Sequence, residues 1–212
     1  VFKLHLIPCG IFYPSCANLI GTGTVVNPDE LLKEINELKK GGISLDKLYI
    51  SEKASILMPY HVDIDGLTEK DVEIGIGTTK RGIGPAYAGK AMRTNLRFED
   101  LADNVYVRAR LKKVLPFINA QVEFLGGEAY DADKLADKCA EWYEQLKSYI
   151  VNPISLVQTY KKQGKNILFE GQLGVMKDLD QGIYPYVTSS HPTAAYAAVS
   201  GGFSAKELDD IV

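Results

Sequence analysis

Residues 77–93, which read GTTKRGIGPAYAGKAMR, concentrate the residue types that bind anions. Thr78 and Thr79 carry hydroxyl groups that can donate hydrogen bonds to a phosphate. Gly82 and Gly84 allow the backbone to adopt positive φ or to approach a ligand closely. Successive backbone N–H groups in such turns form anion-binding nests. The chemistry that this stretch could perform is therefore the binding of a phosphate group.

The residues after Pro85 are compatible with a helix that carries two cations. Lys90 and Arg93 are three residues apart, which would place them on one face of that helix. An arginine there could hold a phosphate through two parallel hydrogen bonds. The stretch matches neither the phosphate loop of P-loop proteins nor the dinucleotide-binding fingerprint. Two interpretations stay open: a plain turn followed by a basic helix, and a phosphate-binding loop.

A second stretch, residues 169–195, contains a hydroxyl cluster at residues 188–190 ahead of an Ala-rich segment. Residues 166–170 (NILFE) are predicted to form a strand, and open α/β sheets bind ligands at the carboxyl ends of their strands. The threonine and two serines of the cluster can cap a helix, bind a phosphate, or do both. We assign Asp178 and Asp180 no catalysis, because such loop carboxylates more often lie on the surface.

The elements that would position these stretches follow a strand–helix–strand pattern. Residues 3–8 and 18–26 are short apolar runs bounded by Gly and Pro, which is typical of buried strands. Residues 28–40 form a predicted helix with Asn27 as its N-cap, and residues 47–51 form another strand. This spacing is that of a βαβ unit and predicts a partly parallel sheet.

The middle of the chain has a different character. Residues 104–125 and 131–162 place Leu, Ala, Lys, Glu and aromatic residues at helical spacing. We predict a helical subdomain at about residues 99–163, inserted within a single α/β domain that spans 1–212. The predicted fold class is α/β, with a partly parallel central sheet, flanking helices and this inserted helical subdomain.

Composition narrows the class of function. The 212 residues carry a net charge of −3, which disfavours a nucleic-acid-binding protein because such proteins need a broad basic face. No apolar run approaches the length of a membrane span. Cys9, Cys16 and Cys139 have no CxxC spacing and are interpreted as reduced thiols of a cytoplasmic protein. Apolar residues at both ends lead us to expect an internal piece of a longer protein.

Residues 82–93 resemble a family signature position by position. GIGPAYAGKAMR fits the pattern of adenylosuccinate synthetases: Gly-Ile-Gly-Pro, any residue, Tyr, two of any, Lys, two of any, and Arg. The preceding GTTK belongs to the same loop, and HLIPCGI, LFEG and DLDQGIYPYVTSS are similar to further family segments in the same order. The resemblance covers nearly the whole chain.

The resemblance implies a ligase that joins IMP and L-aspartate to form adenylosuccinate in purine biosynthesis, using GTP and Mg²⁺. In the family a carboxylate removes the N1 proton of IMP, the 6-oxygen attacks the γ-phosphate, and the aspartate amine displaces the phosphate so attached. Charge on the transferred group is stabilised by Mg²⁺ and cations. The resemblance also implies a homodimer, and the composition leads us to expect a cytoplasmic protein that binds neither nucleic acid nor membrane.

Five residues are assigned to the site by this resemblance. Lys90 matches the signature lysine and is the candidate catalytic residue, while Thr79 and Thr188 are expected to contact IMP and its phosphate. Arg93 is expected to reach the IMP of the partner subunit across a dimer interface. Gln172 is the candidate for the glutamine that follows FEG in the family, although here it lies one place earlier and Leu173 takes the usual position.

Other family motifs do not occur in the 212 residues. These are the Gly-Asp-Glu-Gly-Lys-Gly phosphate loop, the Gly-His pair of the general acid, the arginine loop for aspartate and the guanine-reading Lys-x-Asp segment. His191 and Pro192 stand where the family usually has Asn and Thr. We therefore expect most of an IMP half-site, no metal ligands, and no turnover by this chain alone. Two alternatives stay open: a non-catalytic purine-nucleotide-binding or dimerising relative, and a phage-type relative that uses another purine monophosphate.

Overall fold

The protein contains two small parallel sheets. The structure is a computed structural model that describes residues 1–70, 75–171 and 174–208. The strands are β1 Asn18–Ile20, β2 Val25–Val26, β3 Leu48–Ser51, β4 Ser55–Ile56 and β5 Ile150–Val151. One sheet has the order β1-β3-β5, the other pairs β2 with β4, and these strands pair in parallel, while an isolated antiparallel bridge joins Ser55 to Arg97. The predicted α/β class with parallel strands is thus confirmed.

Seven α-helices surround these strands in the described residues. They are α1 Pro28–Lys40, α2 Pro59–Thr68, α3 Ile83–Met92, α4 Asn104–Phe124, α5 Ala132–Leu146, α6 Pro153–Lys162 and α7 Ala194–Gly201. Helix α1 begins as predicted, because the Asn27 side chain accepts hydrogen bonds from the backbone N–H groups of Asp29 and Glu30 at 3.0 and 3.3 Å. None of these helices is both long and apolar enough to cross a membrane.

Helices α4 and α5 form a pair that packs on α1 and on the short 3-10 helix Phe98–Ala102. Leu111 and Val122 of α4 and Trp142 of α5 are buried in the main core. The Trp142 indole N–H donates to Asp29 Oδ1 at 2.7 Å, which ties α5 to the first turn of α1. Strand β5 follows this pair and joins β3, so the helical segment returns to the sheet before α6 begins. The extent of a separate subdomain stays a prediction.

Residues 3–8 are not a strand, contrary to the prediction. The backbone N–H groups of His5, Leu6 and Ile7 donate instead to the Glu34 carboxylate of α1, at 2.7, 3.1 and 3.1 Å. A carboxylate that accepts several N–H groups can replace a neighbouring strand as their partner. This segment is therefore held by a side chain rather than by a ladder of backbone hydrogen bonds.

The strand predicted at residues 166–170 is also absent from the described part of the chain. Leu168 is 90% exposed and Ile167 is 39% exposed, whereas Phe169 is half-buried and lies against Gly201 of α7. The stretch after it consequently does not begin at the carboxyl end of a strand. The predicted strand at the end of the chain, in DDIV, lies outside the described residues.

Candidate functional site

The loop before α3 is fixed against helix α2. Gly82 has φ of +80°, and a Cβ atom added there would lie 2.7 Å from the backbone nitrogen of Val62. Only glycine combines this left-handed conformation with so close a backbone approach. The buried Asp65 side chain accepts a hydrogen bond from the Gly82 N–H at 2.8 Å. The glycine of the signature is thus a packing requirement, and Asp65 sets where the loop begins.

His61, next to this contact, is a structural residue of α2. It is buried, and its Nδ1 accepts a hydrogen bond from the Met58 N–H at 3.0 Å at the start of the helix. Burial lowers the pKa of His61 to about 4, and the neighbouring Asn95 side chain opposes part of that shift. The imidazole is therefore neutral near pH 7, where it stabilises the end of α2 that supports Gly82.

Lys90 of α3 holds the loop between β1 and β2. Its Nζ donates to the backbone carbonyls of Thr22 and Gly23 at 3.3 and 3.2 Å, and it lies 5.7 Å from the centre of the Tyr87 ring. The Tyr87 hydroxyl donates to the Gly23 carbonyl at 3.1 Å. Burial, with a smaller contribution from the Arg97 charge, lowers the pKa of Lys90. The lysine connects α3 to the loop that follows β1.

This β1–β2 loop, residues 21–24, was not singled out in the sequence. It reads Gly-Thr-Gly-Thr and follows the carboxyl end of a parallel strand, which is a signal that could have identified it. The Gly23 N–H donates to the Ser200 hydroxyl of α7 at 3.0 Å, and a Cβ at Gly23 would lie 2.7 Å from that oxygen. The Thr22 hydroxyl lies 2.9 Å from the Ser51 hydroxyl. The loop thus joins α3, α7 and the sheet.

The hydroxyl cluster at residues 188–190 meets the start of α3. The Ser189 hydroxyl lies 3.2 Å from where a Cβ of Gly84 would stand, so the cluster contacts the first turn of α3. The Thr188 N–H donates to the Lys177 carbonyl at 2.8 Å, and the side chain of Thr188 is half-buried. Thr79 is exposed in the loop ahead of Gly82. That Thr79 and Thr188 face one cleft stays a prediction, supported by the contact of the cluster with the helix that follows the Thr79 loop.

The capping interpretation of residues 188–190 is wrong. Helix α7 begins at Ala194 with Thr193 at the N-cap position, and no side chain there makes a capping hydrogen bond. The hydroxyl cluster lies upstream of that position, so its side chains are not used by the helix. Phosphate binding is the interpretation of this cluster that stays open.

Arg93 ends α3 rather than continuing its face. It is the C-cap residue with φ of +62°, and its carbonyl accepts a hydrogen bond from the Arg110 guanidinium. The prediction that Lys90 and Arg93 share one helix face is therefore wrong, because Lys90 is half-buried against the β1–β2 loop while Arg93 is exposed. Gln172 and Leu173 lie outside the described residues.

Asp178 and Asp180 lie in different environments, contrary to the expectation of a surface pair. Asp178 is 2% exposed, and its Oδ1 accepts hydrogen bonds from the N–H groups of Asp180 and Gln181 at 3.0 and 3.1 Å. The His191 Nδ1 lies 3.3 Å from Asp178 Oδ2 and 3.9 Å from Asp180 Oδ2. Burial disfavours the ionised Asp178 carboxyl, but these hydrogen bonds and His191 outweigh it and lower the pKa of Asp178.

This cluster does not fit the Mg²⁺ that the resemblance implies. Mg²⁺ prefers oxygen ligands in near-octahedral geometry, whereas one of the three potential donors here is an imidazole nitrogen. We assign no step of a reaction to Mg²⁺ at these residues.

Comparison with known proteins places the chain in a family. The family model described as adenylosuccinate synthetase matches residues 1–212. Adenylosuccinate synthetase 1 of Methanosarcina acetivorans is 54% identical over 211 residues, which are 100% of this chain and 50% of the relative. The enzyme of Streptococcus gordonii is 42% identical over 213 residues, again 100% of this chain and 50% of the relative. The chain thus spans about half the length of the curated relatives it matches.

Two solved structures resemble the fold. Fully ligated adenylosuccinate synthetase from Plasmodium falciparum is 34% identical with a TM-score of 0.87, over 98% of this chain and 49% of that one. Succinoaminodeoxyadenylate synthetase of cyanophage S-2L, bound to dGMP and dATP, is 21% identical with a TM-score of 0.57, over 96% of this chain and 46% of that one. The second likeness concerns the fold alone. Since the family match extends over every residue, this chain belongs to the adenylosuccinate synthetase family.

Proposed function

We propose that the protein is part of a cytoplasmic, homodimeric ligase that joins IMP and L-aspartate with GTP to form adenylosuccinate in purine biosynthesis. The observation that carries the proposal is the anchored signature loop, in which Asp65 binds Gly82 and Lys90 binds the β1–β2 loop. These contacts give the family signature a defined conformation in this chain. Mg²⁺ and GTP are expected to act with the full-length enzyme.

The contribution of this segment is the binding of IMP. The hydroxyl cluster at residues 188–190 contacts Gly84 in the first turn of α3, the helix that directly follows the threonine loop. In this proposal the hydroxyl and N–H donors of both segments converge on a 5′-phosphate. Thr79 and Thr188 are the proposed donors, one from each loop. A phosphate held at both loops would fix the position of the purine.

In this proposal the role of Lys90 depends on where its ammonium group lies. Its ammonium group is engaged with the carbonyls of Thr22 and Gly23, so in this conformation it orders the loop after β1. A cation inside the site also adds positive potential where the phosphoryl group of IMP is bound. Lys90 therefore combines a structural contact with an electrostatic contribution.

Arg93 is proposed to complete the IMP site of the partner subunit. It is exposed at the end of α3, and its left-handed backbone directs the chain away from the helix. An exposed arginine has the reach and the planar guanidinium needed to bind a phosphate across an interface. The homodimer is part of this proposal.

The phage-type alternative is less well supported. The chain is 54% and 42% identical to two enzymes named adenylosuccinate synthetase, against 21% for the cyanophage protein. The two alternatives become outcomes of the following test.

The test places this chain in a complete enzyme. It replaces the matched half of the Methanosarcina acetivorans relative, and phosphate release is measured with IMP or dGMP as the purine substrate. We expect turnover that requires IMP, L-aspartate and GTP together. Lys90→Gln should reduce that turnover by at least about tenfold, while Lys113→Gln, an exposed lysine of α4, should leave it unchanged.

Two results would count against the proposal. A folded hybrid that binds GTP but releases no phosphate would favour the non-catalytic alternative. Turnover with dGMP in preference to IMP would favour the phage-type alternative. Folding of each hybrid is checked by its cooperative unfolding transition, so that loss of structure is not mistaken for loss of chemistry.

A further inference from the structure

We propose that Asp178, Asp180 and His191 bind one transition-metal ion, with Zn²⁺ or Co²⁺ as the fitting class. Each residue offers one ligand atom, and these atoms all lie within 4.8 Å of one another. The site is separate from the Mg²⁺ of the ligase reaction, and the proposal does not depend on the ligase activity.

The orientation of Asp178 is the first argument. Its Oδ1 is occupied by two backbone N–H groups, those of Asp180 and Gln181. Its Oδ2 is buried and has no hydrogen-bond partner among the described residues, although it lies beside His191. Burial of a carboxylate oxygen without a hydrogen-bond partner costs folding free energy, because the oxygen loses its hydration and gains no replacing contact. An ion at this point would satisfy it, and the hydrogen-bonded Oδ1 would orient the carboxylate as outer-shell contacts do.

The distances are the second argument. His191 Nδ1 lies 3.3 Å from Asp178 Oδ2 and 3.4 Å from Asp178 Oδ1. A charge-assisted hydrogen bond would be shorter, at about 2.7–2.9 Å. Two ligands of one ion with bonds of about 2.0–2.2 Å stand about 3.3–3.6 Å apart at a tetrahedral angle. The spacing of His191 and Asp178 is that of two ligands rather than of a close ion pair.

The donor set selects the class of metal. One imidazole and two carboxylates suit borderline ions such as Zn²⁺ and Co²⁺ better than Mg²⁺ or Ca²⁺. The Asp180 side chain is 70% exposed and that of His191 is 36% exposed, so an ion can enter from solvent and the Asp180 carboxylate can move towards it. A water molecule would complete four-coordination, as in open zinc sites.

A bound ion would restrain the loop that carries Thr188. Asp178 and His191 are 13 residues apart in sequence and enclose the hydroxyl cluster between them. An ion bound to both would close this loop and restrict the positions available to Thr188. The metal would therefore organise a loop that contacts the start of α3.

The test uses the 212-residue chain with Cys9 and Cys16 replaced by serine, because both thiols are exposed and could bind the probe. Metal-free protein is titrated with Co²⁺ and followed by visible absorption, and Zn²⁺ is then added in competition. We expect one equivalent of Co²⁺ to bind, Zn²⁺ to displace it, and excess Mg²⁺ to leave it in place. His191→Asn and Asp180→Asn should each weaken Co²⁺ binding by at least about tenfold.

His5→Asn is the matched control, because it removes an exposed imidazole outside the cluster and should leave the affinity unchanged. The absence of saturable binding near one equivalent would overturn the proposal. So would a His191→Asn variant that binds Co²⁺ as tightly as its parent, or an equal loss in His5→Asn. Limited proteolysis after Lys177, which should be slower with Zn²⁺ in the parent but not in His191→Asn, provides a second readout.

Discussion

Replacement of Asp65 tests whether one buried carboxylate sets the conformation of the signature loop. In Asp65→Ala the Gly82 N–H loses its acceptor in a region that water does not fill, since Asp65 is 5% exposed and Gly82 is buried. A buried donor left unpaired costs about 1–3 kcal/mol of folding free energy. Asp65→Asn keeps an oxygen that can accept the same hydrogen bond, so it should lose less than half as much.

The assay is urea unfolding followed by the fluorescence of Trp142, the only tryptophan. Asp63→Ala is the matched control, because Asp63 is exposed on the same helix and binds the Tyr130 hydroxyl instead of the signature loop. Affinity for IMP should fall in Asp65→Ala and remain in Asp63→Ala. The reasoning is refuted if Asp65→Ala unfolds within about 0.5 kcal/mol of the parent, or if Asn and Ala at this position behave alike.

Three further predictions concern the same region. Gly82→Ala should destabilise the fold by more than the roughly 1–2 kcal/mol that a left-handed conformation costs a non-glycine residue, because its Cβ would also clash with backbone atoms. Gly126→Ala is the control in the same unfolding assay. Gly126 has φ of +84° and nothing within 4 Å of its Cβ position, so this variant should show the conformational cost alone. His61, with a folded pKa of about 4 against an unfolded value of 6.5, binds protons more readily when unfolded, so stability should fall by on the order of 3 kcal/mol as pH drops from about 6.5 through 4. His61→Gln should flatten that pH dependence, and an unchanged slope would contradict the assignment. Arg93→Leu in the hybrid enzyme should weaken IMP binding by about 1.5–3 kcal/mol, with GTP binding nearly intact, and mixing it with an inactive variant of the general base should restore activity if Arg93 acts across the dimer.

Local signals in the sequence were sufficient for some elements. Helix α1 was predicted with its cap because Asn27 satisfies the N–H groups two and three residues ahead, a contact that needs no distant partner. The parallel arrangement of β1 and β3 followed from the helix between them, since a right-handed crossover places both strands in one sheet. The family signature could likewise be recognised because it is contiguous.

Features that depend on distant partners were not predictable. Residues 5–7 were predicted to form a strand, yet their N–H groups bind the carboxylate of Glu34 on α1, which is 27–29 residues away in the sequence. Lys90 contacts the β1–β2 loop, which is 67–68 residues away in the sequence, and no rule based on residue spacing predicts such a contact. Asp178 was predicted to be a surface carboxylate, yet it is buried in a local turn in which the Gly182 N–H binds the Asp178 carbonyl. Contacts with side chains or loops distant in the sequence, rather than local propensity, decide the conformation of residues 5–7 and the position of Lys90.

The central claim is that the loops carrying Thr79 and Thr188 form a site for the 5′-phosphate of IMP. Calorimetric titration of the 212-residue chain with IMP and with inosine, which lacks only that phosphate, tests it most directly. We predict saturable binding of IMP and at least about a hundredfold weaker binding of inosine, because the phosphate supplies the charge-assisted hydrogen bonds. Equal affinity for IMP and inosine, or IMP affinity that is unchanged when Thr79 and Thr188 are both replaced by valine, would contradict the account.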